Sequence, residues 1–185
     1  MKELKSRIES SFGNGEIPSE RDLVSFDGYD HLDKEDILQT FHGKTWYEFF
    51  EGFTSGQSPL VGLLDDLCVM EPRGFQYYLR AYLEYLLAED PDEPNEDEFV
   101  HFLFFAIKEF MRIQKEEQHT RVERMPLDSF GLDLERNAEA LSIDQKAALK
   151  AVAVKVLDKV SRSSAGLDDW RKDLIRDLSY IRDNT

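Results

Sequence analysis

The chain has 185 residues, of which 41% are hydrophobic and 12% aromatic. This apolar content argues against global disorder, and a chain of this length folds without disulfide or metal staples. Its 38 acidic and 23 basic side chains give a net charge of −15, which repels nucleic acids and anionic membranes at long range. We therefore predict one domain, 1–185, with no nucleic-acid or membrane partner and no cofactor. The charge favours a basic protein as partner, although it also serves solubility alone in many acidic proteins.

The sequence predicts a cytoplasmic protein. The N-terminus opens with polar sequence and has no apolar signal region, and no run approaches eighteen apolar residues. The single cysteine, Cys68, excludes an internal disulfide and lies in an apolar run, so we expect a buried and unreactive thiol.

Helical spacing dominates the first third of the chain. Leu4, Ile8 and Phe12 recur every four residues, which predicts a helix over 2–12 that Gly13 ends. Asp33 is the predicted cap of a second helix that runs to about Phe41.

Two further start signals follow. Thr45 and Glu48 have the capping-box spacing and predict a helix that begins at Trp46. Ser58-Pro59 predicts the start of a short apolar helix over 60–69.

Pro72 is predicted to open a central helix, because apolar residues then recur at helical spacing on one face. This predicted core stripe consists of Phe75, Tyr78, Leu79, Tyr82, Leu83 and Leu86.

The acidic segment 89–98 is predicted to be a flexible loop, because it holds seven acids, two prolines and no base. A long helix is predicted over 95–121. Ser142 and Gln145 form another capping box, and a C-terminal helical hairpin is expected over 142–183. Together these elements predict an all-α fold, an irregular helical bundle of about six to eight helices.

No catalytic motif emerges. Gly43-Lys44-Thr45 lacks the earlier glycine and the strand of a phosphate loop, so it indicates a turn between helices. Glu98 and His101 have the Glu-x-x-His spacing of metal-binding helical bundles and are metal candidates. The second such pair lies eighteen residues further along the same helix, about 27 Å away, so the two pairs cannot share one metal. We therefore predict no metal site.

The candidates for partner binding are acidic and aromatic. Adjacent aromatic residues on a helix cannot all face the core, so one of each pair is expected at the surface. The acidic loop supplies the charge that would select a basic partner. The candidates are Glu89, Asp90, Asp92, Glu93, Glu96, Asp97, Tyr47 and Tyr77.

Two motifs resemble those of an uncharacterised bacterial domain family of unknown function. Gly43-Lys44-Thr45-Trp46 matches its Gly-Lys-x-Trp element, and the segment from Pro72 to Leu83 matches its Pro-x-x-Phe-x-Tyr-Tyr-Leu-Pro-Ala-Tyr-Leu element. Arg80 stands where the family usually has proline. The resemblance covers the pattern over 33–160 and implies a bacterial cytosolic protein, but it transfers no activity.

Three classes of function stay open. The first is a protein-binding module, for example an immunity or neutralising protein or an adaptor for a basic partner. The second is a self-associating structural protein, such as a homodimer paired through the helix 95–121. The third is a small-ligand or metal-dependent enzyme whose site is scattered along the chain.

Overall fold

A computed structural model describes residues 2–13, 15–24, 31–55, 66–67, 70–88, 136–137, 139–162, 172, 175–176, 179 and 182–183. Within these residues every regular element is helical and no strand occurs, which confirms the all-α fold class. The helices are α1 (Lys2–Phe12), α2 (Glu20–Leu23), α3 (His31–Phe41), α4 (Trp46–Thr54), α5 (Pro72–Ala88) and α6 (Ile143–Arg162).

Helix α5 is the centre of the described core. It contacts α1, α2, α4 and α6, and it begins at Pro72 as predicted, where a missing N–H costs nothing because the first turn has no intrahelical acceptor for it. Every residue of the predicted stripe is buried, and Ala81, Tyr85 and Leu87 are buried beside it. A helix with such a wide apolar surface must be covered on several sides.

Aromatic rings join α3 and α4 to α5. The rings of Phe41 and Phe49 stack with centroids 4.6 Å apart, and Tyr78 meets both edge-on at 4.9 and 5.2 Å. Further along, Phe53 packs 4.9 Å from Tyr82. These edge-to-face and offset arrangements add to the gain from apolar burial and fix the position of α4 on α5.

Helix α2 approaches the start of α5 closely, and the reason is Gly74. A Cβ at this position would lie 2.5 Å from the backbone oxygen of Asp22, so only glycine permits the observed contact. The Arg73 guanidinium lies 3.3 Å from the Asp22 carboxylate, and the Glu71 N–H donates to the Leu23 carbonyl at 3.3 Å.

Helices α1 and α6 pack against each other and against α5. Ile8 of α1 is fully buried, and Gly13 ends this helix with φ of 62°, as the sequence predicts. The predicted capping box of α6 is also present, because Ser142 N–H donates to the Gln145 side chain and Gln145 N–H to the Ser142 hydroxyl.

One predicted boundary is wrong. Helix α3 begins at His31, so Asp33 lies inside the helix and does not cap it. The preference of Asp for the cap is only about 1 kcal/mol, which a small gain elsewhere in the helix outweighs.

Several other predictions lie outside the described residues. These are the helix at 60–69 except for residues 66–67, the burial of Cys68, the acidic loop 89–98 and the helix 95–121. In the second half of the predicted hairpin the described residues 172, 175–176, 179 and 182–183 are helical.

Candidate partner-binding surface

The turn between α3 and α4 sets the direction of α4. Gly43 adopts φ of 77°, a conformation that favours glycine, in the turn that follows α3. Thr45 then caps α4: its hydroxyl accepts the Glu48 N–H at 3.2 Å, and the Glu48 carboxylate accepts the Thr45 N–H at 2.6 Å. The hydrogen bonds from Thr45 lower the pKa of Glu48. Gly43-Lys44-Thr45 is therefore a turn between two helices, as the sequence predicts.

Two adjacent tyrosines of α5 contact the backbone of this turn and of the start of α4. The buried hydroxyl of Tyr78 lies 2.8 Å from the backbone oxygens of both Phe41 and Lys44, and it donates to them. The hydroxyl oxygen of Tyr77 lies near the backbone N–H of Trp46, the first residue of α4. Burial nevertheless raises the pKa of Tyr77 and, more strongly, that of Tyr78. The two sequence motifs therefore form one structural unit.

Arg80 completes the unit and ties it to α1. Its side chain is 5% exposed, and its guanidinium carbon lies 3.9 Å from the centre of the Trp46 ring. One nitrogen donates to the Gly13 carbonyl at the end of α1, and another lies 3.7 Å from the Glu84 carboxylate. Burial lowers the pKa of Arg80, while Glu84 opposes that shift. A delocalised guanidinium suits this position because it stacks on a ring and donates in its own plane at once.

The outer side of α4 exposes a tyrosine among other rings. Tyr47 is 49% exposed, and its ring centre lies 5.6 Å from that of Trp46 and 5.9 Å from that of Phe50. A hydrogen bond to the Glu51 carboxylate, one helical turn later, raises the pKa of Tyr47. We call Trp46, Tyr47, Phe50 and Glu51 the Tyr47 surface.

A shallow groove of about 570 Å³ lies on the same helix and shares Glu51 with the Tyr47 surface. The amine of Lys44 lies 5.6 Å from the centre of the Phe49 ring and near Glu48, so its positive charge is partly matched within the groove. The groove is lined by Lys44, Glu48, Phe49, Glu51, Gly52, Thr54 and Ser55.

The predicted partner-binding residues do not form one described site. Tyr47 is exposed, whereas Tyr77 is half-buried and is engaged by the backbone of α4. The remaining candidates lie outside the described residues, as do the metal candidates Glu98 and His101. They are Glu89, Asp90, Asp92, Glu93, Glu96 and Asp97.

Sequence reasoning missed the roles of Arg80 and Glu51. A signal for Arg80 was available, because it is a charged residue inside the buried stripe with Glu84 four residues later. Likewise, Glu51 stands four residues after Tyr47, the spacing at which side chains meet on a helix.

Other chemistry finds little support in the described part of the chain. No group of three or more His, Cys, Asp and Glu residues there could hold a metal ion. His42 is exposed, and its ring nitrogen lies 3.8 Å from the Glu20 carboxylate. Among the described helices, none has the length and apolar character that crossing a membrane requires.

No protein-family model, curated protein or solved structure matches the chain. The resemblance to the bacterial family through the two motifs stays a prediction.

Proposed function

We propose that the protein is a protein-binding module for a basic partner, as an immunity or neutralising protein or an adaptor would be. The observation that carries this proposal is the Tyr47 surface, where a half-exposed ring stands beside carboxylates in a chain of net charge −15. Exposed tyrosines are frequent anchors of protein interfaces, and complementary charge speeds the encounter and selects the partner.

The way in which α4 is held supports this choice. Its first turn is fixed by Thr45, by the two tyrosines of α5 and by Arg80. A surface carried by a rigid element loses little conformational entropy when a partner binds, so more of the contact energy remains as affinity.

A capture experiment with matched charge variants tests the proposal. The wild-type protein is immobilised and exposed to lysate of the source organism at low and high salt, beside Glu48→Gln/Glu51→Gln and the control Glu35→Gln/Asp36→Asn. The control removes two exposed acids from α3, a different helix from the one that carries the Tyr47 surface. We expect a protein with pI above about 9 to be captured at low salt and released at high salt.

The two double variants decide where the partner docks. The proposal requires that the α4 variant loses the basic protein and that the α3 variant retains it. Equal capture by both, or no basic protein captured at low salt, would contradict the proposal.

A second candidate function is self-association through α6. Ile143 is 86% exposed and Val154 37% exposed, and they lie eleven residues, about three turns, apart on one side of the helix. Light scattering at rising concentration tests this candidate: a monomer at all concentrations rules it out, whereas a dimer abolished by Ile143→Asp supports it.

The finer predictions from the sequence are part of the same proposal. We propose that the whole chain is a single domain, an irregular bundle of six to eight helices, in a bacterial cytoplasm. No binding to nucleic acid is expected, because the net charge of −15 opposes it.

A further inference from the structure

A contact in the interior of the protein resembles the contact that we expect at the Tyr47 surface. In the interior, the Arg80 guanidinium lies over the Trp46 ring and beside the Glu84 carboxylate. A guanidinium is thus held by an aromatic face and a carboxylate together. The two attractions act in different directions, because the plane of the group stacks while its edge donates to the acid.

The Tyr47 surface presents the same two partners to solvent. The Tyr47 ring is half-exposed, and the exposed Glu51 lies four residues later on the same side of α4. Within the described part of the chain no Lys or Arg lies over this ring, whereas Lys44 and Arg80 lie over Phe49 and Trp46. The exposed part of the Tyr47 ring can therefore be reached by a cationic group of a partner.

The position of Glu51, one helical turn from Tyr47, favours a cation over an apolar contact. A positive group on the ring face would also lie near the Glu51 carboxylate, so that it gains from both. An apolar side chain at the same place would partly desolvate Glu51 and gain nothing from its charge.

We propose that the Tyr47 surface binds an arginine side chain of a basic protein partner, with the guanidinium stacked on Tyr47 and its edge donating to Glu51. This inference rests on the proposed function and names the residue that the partner contributes. Lysine would bind less tightly there, because its ammonium is compact, strongly hydrated and unable to stack. The groove beside Glu51 would receive the neighbouring residues of the partner chain.

Two peptides of equal charge test the proposal: fluorescein-labelled hexa-arginine and hexa-lysine, titrated against the full chain by fluorescence anisotropy at one ionic strength. We expect hexa-arginine to bind about threefold to tenfold more tightly than hexa-lysine, because only the guanidinium can stack on the ring while its edge donates to the carboxylate. Most of that ratio should disappear in Tyr47→Leu and be reduced in Glu51→Gln. The control Glu35→Gln, which removes one exposed acid from α3, should leave the ratio unchanged.

The outcomes separate this inference from the proposed function. Equal affinities for the two peptides, a preference for arginine that survives Tyr47→Leu, or no binding of either peptide would each overturn the inference. The capture experiment with intact basic proteins would still decide the proposed function. Thermal unfolding of each variant shows that the variant is folded. Because Glu51→Gln leaves the Tyr47 ring in place, this variant tests the contact independently of Tyr47→Leu.

Discussion

Removal of the Tyr78 hydroxyl is the most direct test of how the turn between α3 and α4 is held in place. Tyr78→Phe removes one oxygen and keeps the ring, so the contacts with Phe41 and Phe49 persist. What disappears is the donor that lies 2.8 Å from the backbone oxygens of Phe41 and Lys44.

The loss of stability in Tyr78→Phe depends on whether the carbonyl oxygens of Phe41 and Lys44 keep another hydrogen-bond partner. The Phe41 oxygen also accepts the N–H of Lys44 at 3.1 Å, so it keeps one partner, and the hydrogen bond to the Lys44 carbonyl is only part-buried, so water can reach that carbonyl. Neither acceptor is left buried without a hydrogen bond. The loss is therefore the net value of one hydrogen bond, about 1 kcal/mol, and not the larger cost of an orphaned carbonyl.

Urea unfolding followed by circular dichroism measures this loss. For a domain of this size it corresponds to a fall in Tm of about 2–4 °C. Tyr47→Phe is the matched control: the same atom is removed from an exposed tyrosine, and we expect a change within about 0.5 kcal/mol. A Tyr78→Phe variant as stable as this control would refute the role of the hydroxyl, and a loss above about 3 kcal/mol would mean that a carbonyl is left without a partner.

Three further predictions concern helix ends and contacts. Gly74→Ala should destabilise the protein in the same urea titration, because the added Cβ would meet the backbone oxygen of Asp22. Without that clash, alanine in place of glycine normally stabilises a helix interior by about 1 kcal/mol. Gly15→Ala is the control and should be nearly neutral, because a Cβ at Gly15 would meet nothing within 4 Å. Burial opposes the ionisation of Asp22, but hydrogen bonds led by those from Ser19 outweigh this effect and lower its pKa. The ionised Asp22 therefore stabilises the fold above the ordinary pKa of about 3.9, and this stabilisation is lost as pH falls through the lower pKa of the folded state. The stability difference between wild type and Asp22→Asn should shrink below about pH 4. Thr45→Ala should cost about 1 kcal/mol in thermal unfolding through the lost cap of α4, and an unchanged Tm would contradict the cap seen in the structure.

Local signals carried most of the correct sequence predictions. The capping boxes at Thr45 and Ser142 and the start at Pro72 depend only on residues within one turn, so the sequence contains all the information they need. The buried stripe of α5 follows from its period in the same way. Asp33 shows where such signals fail, because the exact end of a helix depends on energies too small for one residue to decide.

The contacts that hold α4, and with it the Tyr47 surface, in place are not local. Arg80 meets Gly13, 67 residues earlier, and Trp46 of another helix. A charged residue is normally assigned to the surface, since arginine is seldom buried without partners. Its partners Gly13 and Trp46 are known only once three helices have been placed, so no sequence pattern revealed these two contacts.

Different side chains of α4 hold the helix in the fold and form the Tyr47 surface, so binding at this surface can be changed separately from folding. Phe49 and Phe53 are buried and hold the helix on α5, whereas Tyr47 is half-exposed and lies one turn before the exposed acid Glu51. An exposed tyrosine is no better a helix former than the residues that would replace it, so folding gives little reason for an aromatic ring there. Changes at Tyr78 or Arg80 must alter both stability and the orientation of the surface. A change at Tyr47 should alter only what the surface binds, and this is why the binding experiments are designed around that residue.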